Sequence, residues 1–381
     1  MRPASEIELA EAIRDASGAL RIRGGGTRGA WVPGSAEVLE TAGLAGIRLY
    51  EPGALTLVVG AGTSLAEVEA ALAEKGQRLA FEPMDNRALL GRKGTPTIGG
   101  VVAANISGPR RVQAGAARDF LLGVRFVDGA GQVLSNGGRV MKNVTGYDLV
   151  KLMAGSWGTL GVLSEVSLKV LARPQAEATL VLRGQGAAAA VADLCRAMGT
   201  PWDVSGAAWR GPAQERLIRV EGLLGSVTYR AGRLRDLLGA DAVVTGEESA
   251  TLWRDLRDVT DFAGQTAPLW RISLKPTDGP ALLSRLEVAG ISHQAICDWS
   301  GGLVWLQMVG PSAQAGALRA AVDALGGHAT LMRASEEERA RIPMFHPEPS
   351  PVARLTGALR ARFDPRGILN PGLMQPASVP A

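Results

Sequence analysis

Residues 94–108 read GTPTIGGVVAANISG, and the chain is organised around this run. Thr97-Ile98-Gly99-Gly100 leads into residues 101–106, whose small side chains let other atoms approach the backbone. Arg118-Asp119 follows, then a strand-like run over 121–127 closed by the turn Asp128-Gly129-Ala130-Gly131. Next come KNVTGYDL at 142–149 and GSWGTLGV at 155–162. Glycines stand at the ends of apolar runs, where bare N–H groups can face a phosphate or a flat ring system. An ordinary α/β domain with glycine turns accounts for any one of these pieces, but chance does not readily supply all of them in this order.

The ordered pieces resemble the FAD-binding domain of the vanillyl-alcohol oxidase and para-cresol methylhydroxylase family. Within it, the chain is similar to the FAD-binding E subunits of bacterial glycolate oxidases. The resemblance spans nearly the whole length, because the tail RFDPRGILNPG at 362–372 resembles the ending of FAD-linked 2-hydroxy-acid oxidases. It implies an α+β fold. A two-part FAD-binding domain of the para-cresol methylhydroxylase type is joined to a duplicated ferredoxin-like α+β cap.

Composition narrows the classes. The chain has 381 residues, 46% hydrophobic and 20% charged, which suits a folded protein of about two domains. Net charge is +4, and 35 of the 41 basic residues are dispersed arginines. No run of them marks a nucleic-acid surface, though they can steer small anions. Two cysteines, Cys195 and Cys297, with no CxxC pair, exclude a chain-borne iron–sulfur cluster and predict no metal site and a reducing, cytoplasmic compartment. No secretory leader or apolar span of membrane length is read. Any contact with the inner membrane would be peripheral, through partners.

In chain order, Ser5-Glu6-Ile7-Glu8 reads as a capping box opening a helix to about residue 16. A short strand at 20–23 leads into Gly24-Gly25-Gly26-Thr27-Arg28-Gly29. This loop spells G-x-G-x-x-G, but a Rossmann fingerprint must open a helix, and Pro33 with Gly34 opposes one there. The better reading is an anion nest of consecutive N–H groups, placed where the resembled family holds its pyrophosphate. A plain surface turn stands beside it. Strands at 47–50 and 55–59 and a capped helix at 64–75 complete the first half of the FAD domain, about 1–90. The second half, 91–174, closes with a strand at 160–171.

From 175 to 334 the pattern β-α-β-β-α-β occurs twice, the ferredoxin-like order. The first pass places strands at 178–183, 204–209, 216–221 and 241–245, with helices at 186–198 and 226–238. A helix at 249–262 separates it from the second, with strands at 269–275, 293–299, 303–309 and 329–333 and helices at 279–289 and 312–325. The two central hairpins share Trp209-Arg210-Gly211 and Trp299-Ser300-Gly301. Residues 335–381 form a helical tail expected to return to the FAD domain.

The resemblance implies cofactor contacts from Arg23, Gly24, Gly25, Gly26, Thr27, Pro83, Thr97, Ile98, Gly99 and Gly100. It adds Ala104, Asn105, Gly108, Arg118, Asp119, Gly158, Thr159, Gly161 and Val162. The resemblance implies that covalent flavin attachment would use a His or Cys near the pyrophosphate loop or flavin edge, and residues 1–174 contain neither, so non-covalent FAD is expected. Oxidation of a 2-hydroxy acid needs a cation for the carboxylate. Arg271 and Lys275 alternate on one strand and are candidates for a clamp, with a solvated strand face as the plainer reading. Lys142 is the candidate to sit by the flavin, or is a surface lysine before a turn. Asp148 reads as a helix cap, and Trp157 as an aromatic lid or core residue. His293, His328 and His346 are isolated, and the His-rich metal site of related D-lactate and D-2-hydroxyglutarate dehydrogenases is absent. The resemblance therefore implies a glycolate-oxidising subunit that works with a second flavoprotein subunit and an iron–sulfur subunit. A stand-alone 2-hydroxy-acid dehydrogenase and a non-catalytic FAD-binding relay subunit are the alternatives.

Overall fold

Eight antiparallel strands form the largest sheet. Their spatial order is Ala242–Thr245, Ala176–Arg183, Glu215–Gly222, Val204–Arg210, His293–Asp298, Leu303–Met308, Leu269–Ser273, His328–Arg333. Numbered within each run of four, the first half reads 4-1-3-2 and the second reads 2-3-1-4. The halves meet where Trp209 pairs with Cys297 and Arg210 with Ile296. The structure is a computed structural model describing residues 1–29, 34–139 and 146–374. Lys142 and the segment around Pro33 lie outside the described residues.

Nearly continuous apolar strands let this sheet bury both faces. In Leu269–Ser273, Trp270 and Ile272 enter a core roofed by the helices Ala187–Met198, Leu224–Leu238, Asp278–Val288 and Ala315–Asp323. The indole of Trp270 is fully buried and donates to the Ala313 carbonyl at 2.9 Å. Leu269 points the other way, into a second core with Met84, Leu89, Trp253, Trp299 and Trp305. That second core is the seam with the N-terminal part of the chain.

The N-terminal part holds a five-stranded sheet, in the order Ile47–Glu51, Thr56–Gly60, Val162–Lys169, Leu121–Val127, Val133–Gly137. Leu20–Arg23 pairs in parallel with Glu37–Glu40, a strand the sequence reading did not anticipate. Caps fall where short polar side chains precede apolar runs. Ser5 Oγ accepts from Glu8 N at 3.2 Å, Ser64 Oγ from Glu67 N at 3.1 Å and Asp148 Oδ1 from Lys151 N at 3.0 Å. At the first cap, the Glu8 carboxylate reaches back one residue further than in the standard box, accepting from Ala4 N at 2.9 Å.

The tail comes back to this part. After the helix Ser350–Phe363, Leu369 bridges to Leu20, and Arg366 donates to the carbonyls of Gly129, Arg14 and Ala16. Among the described residues no helix is long and apolar enough to cross a membrane.

Candidate functional site

Two glycine-rich segments far apart in sequence interlock to form one wall of a cleft of about 650 Å³. A β-carbon on Gly25 would lie 1.6 Å from the Thr95 carbonyl oxygen, so only a bare backbone allows this approach. Gly26 carries the loop's left-handed turn at φ +70°. The helix Ile98–Ala103 starts at Thr97, whose Oγ1 accepts from Gly100 N at 3.3 Å. Trp157, Gly158, Gly161 and Val162 form another wall. Asn370 closes the cleft from the tail: its Oδ1 accepts from Ile22 N and its Nδ2 donates to the Trp157 carbonyl, both at 2.8 Å.

Charge in the cleft is one-sided. Among the described residues, Arg21, Arg23, Arg28, Arg92 and Lys93 line it against a single carboxylate, Glu40, which pairs with Arg23. Arg28 reaches over the glycine helix, with Nη1 2.6 Å from where a β-carbon on Gly100 would stand. Its Nε is buried with no hydrogen-bond partner among the described residues. Burial pushes the guanidinium down to about 10, partly offset by Asp85. Arg28 makes no ion pair among the described residues, and with four further cations facing one carboxylate the cleft suits a ligand carrying concentrated negative charge. Its size lies in the range of cofactor pockets.

Of the expected cofactor contacts, Arg23, Gly24, Gly25, Gly26, Thr27, Gly99, Gly100, Ala104, Gly158, Gly161 and Val162 are brought together here. The others do not line the cleft. Thr97 packs under Gly24, and Ile98 is fully buried. Asn105 accepts from Arg118 N at 3.0 Å; Arg118 is itself half-exposed beside Asp119, which caps the preceding turn. Thr159 donates to the Ser156 carbonyl at 2.7 Å. Pro83 borders another cavity, and Gly108 accepts from Trp299 Nε1 at 3.0 Å. Arg28, Arg92, Lys93 and Asn370 were missed. Arg28 and Asn370 lie inside motifs already singled out, but sequence does not show which members turn inward.

The Arg271 and Lys275 pair is not assembled. The strand ends at Ser273, the chain turns at Lys275-Pro276, and Lys275 is exposed. Arg271 faces the seam, its guanidinium 5.3 Å from the Trp299 ring centre, while Arg111 lies 4.4 Å from the same ring. Neither has an ion pair or hydrogen bond among the described residues. Burial and then repulsion by Arg111 push Arg271 down to about 10. Arg271 and Asp298 line a cavity of about 20 Å³ with Ile106 and Gly108, so residues 103–108 separate it from the large cleft. Burial raises the Asp298 carboxyl to about 7. None of the three histidines lines the cleft; His346 Nε2 lies 2.7 Å from Asp323 Oδ1, an acidic neighbour supplied by the fold alone. Among the described residues no three His, Cys, Asp or Glu side chains gather as for a metal ion.

The glycolate oxidase subunit GlcE of Escherichia coli K12 is 36% identical over 343 residues, covering 90% of this chain and 88% of that one. The chain belongs to the GlcE family. Residues 1–137 match the family described as FAD binding domain, so this is an FAD-dependent oxidoreductase-family protein and FAD is its cofactor. Shorter similarity reaches the glycolate oxidase subunit GlcD of Bacillus subtilis, 39% identical over 85 residues, 22% of this chain and 18% of that one. Rat mitochondrial D-2-hydroxyglutarate dehydrogenase is 34% identical over 182 residues, 46% of this chain and 33% of that one. An alkyldihydroxyacetonephosphate synthase structure superposes with a TM-score of 0.66 at 18% identity, over 97% of this chain and 76% of that one. This supports the fold alone, an α+β fold of the para-cresol methylhydroxylase type.

Proposed function

We propose that this chain is the FAD-bearing subunit of an assembly that oxidises glycolate to glyoxylate. The observation that carries the substrate reading is that Arg111 and Arg271, neither in an ion pair among the described residues, meet on Trp299 behind the cleft wall. Two half-buried cations with no directly bonded carboxylate favour a small anion, and guanidinium groups match carboxylates. The likeness to two proteins named glycolate oxidase subunits supports the choice of acid.

The backbone of residues 24–27 and the Arg28 side chain would hold the FAD pyrophosphate, with Trp157 and Gly158 beside the ring system. When bound, FAD accepts the hydride lost from the carbon that carries the hydroxyl. Arg271 and Arg111 would bind and orient the substrate carboxylate, and Asp298 would take the hydroxyl proton. Because the closed cavity they border has room for no more than a water, residues 103–108 must move aside for the substrate to lie between these groups and the flavin. The electrons would be passed on by a second flavoprotein subunit and an iron–sulfur subunit of the assembly, which would meet the membrane peripherally.

Mild acid should release all the FAD, because residues 1–174 contain no His or Cys to attach it. Flavin remaining with the precipitated polypeptide after extraction would contradict the non-covalent reading.

The functional test is anaerobic reduction of the FAD-loaded assembly by glycolate, D-lactate and D-2-hydroxyglutarate, followed as bleaching of the flavin absorbance. Glycolate should bleach fastest, and the isolated chain should show little dye-linked turnover. Arg271→Ala should raise the KM for glycolate about a hundredfold, the worth of charge-assisted hydrogen bonds to a carboxylate. Rapid turnover by the isolated chain, or an unchanged KM in the variant, would refute the corresponding part.

A further inference from the structure

The helix Ser350–Phe363 runs 14 residues without one buried side chain. Helices of this length are marginal in water, and most in folded proteins are held by a packed apolar face. This one is anchored at its C-terminal end, where Phe363 meets Phe126 with ring centres 6.1 Å apart, and by Thr356 Oγ1 donating to Glu348 at 3.2 Å. Val352, Leu355 and Leu359 are 46%, 69% and 42% exposed. Their spacing of three and four puts them on one face.

Charge says what covers that stripe. Within the helix, Arg354, Arg360 and Arg362 are the charged residues and no acid is present. Arg354 and Arg362 have no ion pair among the described residues. A second copy docked helix against helix would set arginines against arginines. A different chain whose apolar groove is rimmed with carboxylates satisfies both the stripe and its flanks. The helix leads through Asp364 to Asn370, which closes the FAD cleft.

We infer that the Val352, Leu355, Leu359 face of this helix is the docking surface for an acidic-rimmed groove on another subunit. The inference rests on the reading of the chain as one subunit of an assembly. The probe is the GlcD-type flavoprotein subunit from the same genome, co-purified with the FAD-loaded full chain and followed by light scattering and titration calorimetry. Wild type should associate, and the double variant Leu355→Asp, Leu359→Asp should weaken association at least about a hundredfold, as loss of interface anchors does. Its FAD content and melting temperature should not change, since both side chains are exposed. Arg354→Glu with Arg362→Glu should weaken association about tenfold at low salt and less at high salt. Leu223→Asp with Leu224→Asp, exposed elsewhere on the cap, should have no effect.

If wild type associates and the Leu355, Leu359 variant associates equally well, the docking surface is wrong while the subunit reading survives. If wild type does not associate at all, the subunit reading fails and takes this inference with it. A wild-type homodimer that the same variant turns into a monomer would make the occupant a second copy, and would overturn the inference as stated.

Discussion

Changing Gly25 to alanine will leave a folded chain that no longer retains FAD. The added methyl would stand 1.6 Å from the Thr95 carbonyl oxygen and 2.5 Å from its carbon, overlaps no rotamer can relieve. The segments 24–26 and 94–100 must separate, and the cleft wall opens with them. Of Gly25 and Gly26, only Gly26 has positive φ, where a side chain would be strained; Gly25 is held by its loop-to-loop contact. Arg28→Ala is the companion variant. It should weaken FAD about a hundredfold, through lost charge-assisted hydrogen bonds. The same change should raise the melting temperature of the FAD-free protein, because it removes a part-buried cation whose Nε has no hydrogen-bond partner among the described residues. Flavin titration by fluorescence with parallel thermal melts reads both signs. Wild-type FAD affinity in both variants would show that this cleft is not the cofactor site.

The second large effect is on stability, where Glu82 and Glu221 meet Arg78, Arg110 and Arg219 across the seam. Arg219 grips both oxygens of Glu82 at 2.9 Å and donates to Ser205 Oγ at 3.2 Å, over the ring of Trp253. Arg110 joins Glu82 at 3.1 Å and also pairs with Glu221, which holds Arg78 at 2.8 Å. Arg219→Met should cost about 3–5 kcal/mol, because breaking a buried ion pair leaves uncompensated charge behind. For Glu82, burial would raise the pKa, but the charges of Arg219 and Arg110 outweigh it and hold the carboxyl at about 2, below its ordinary 4.5. The folded pKa is depressed, so this stabilisation is present above pH 4.5 and is lost as pH falls toward 2. Melts of wild type and variant across that window should converge at the acid end. A variant that melts with wild type at neutral pH would show that the cluster contributes nothing net.

Local chemistry was legible in the sequence because it is decided within a few residues. Short side chains at Ser5, Ser64 and Asp148 compete for the first N–H groups of helices whichever way the chain later folds. The thirteen elements expected between 175 and 334 overlap helices or strands at those places, since their apolar runs and glycine breaks lie within single segments. What required tertiary structure was every relation between distant segments. Edge pairing of Trp209 with Cys297, which makes one sheet of eight strands, depends on contacts nearly ninety positions apart. Lys275 alternates correctly with Arg271, but the strand stops at Ser273 and leaves it in solvent. Arg28 was in plain view in its loop; its importance comes from lining the cleft with its Nε buried and unpartnered among the described residues, and that can be known only once everything around it is placed. The sequence by itself determined most of the segments that would be helix, strand or glycine loop, because those preferences are local free energies; strands such as Glu37–Glu40, whose pairing partner lies elsewhere, were not among them. Tertiary structure decided which glycines interlock, which arginines stand unpaired and how the tail brings Asn370 to the cleft, because each of these depends on atoms brought close by the whole fold.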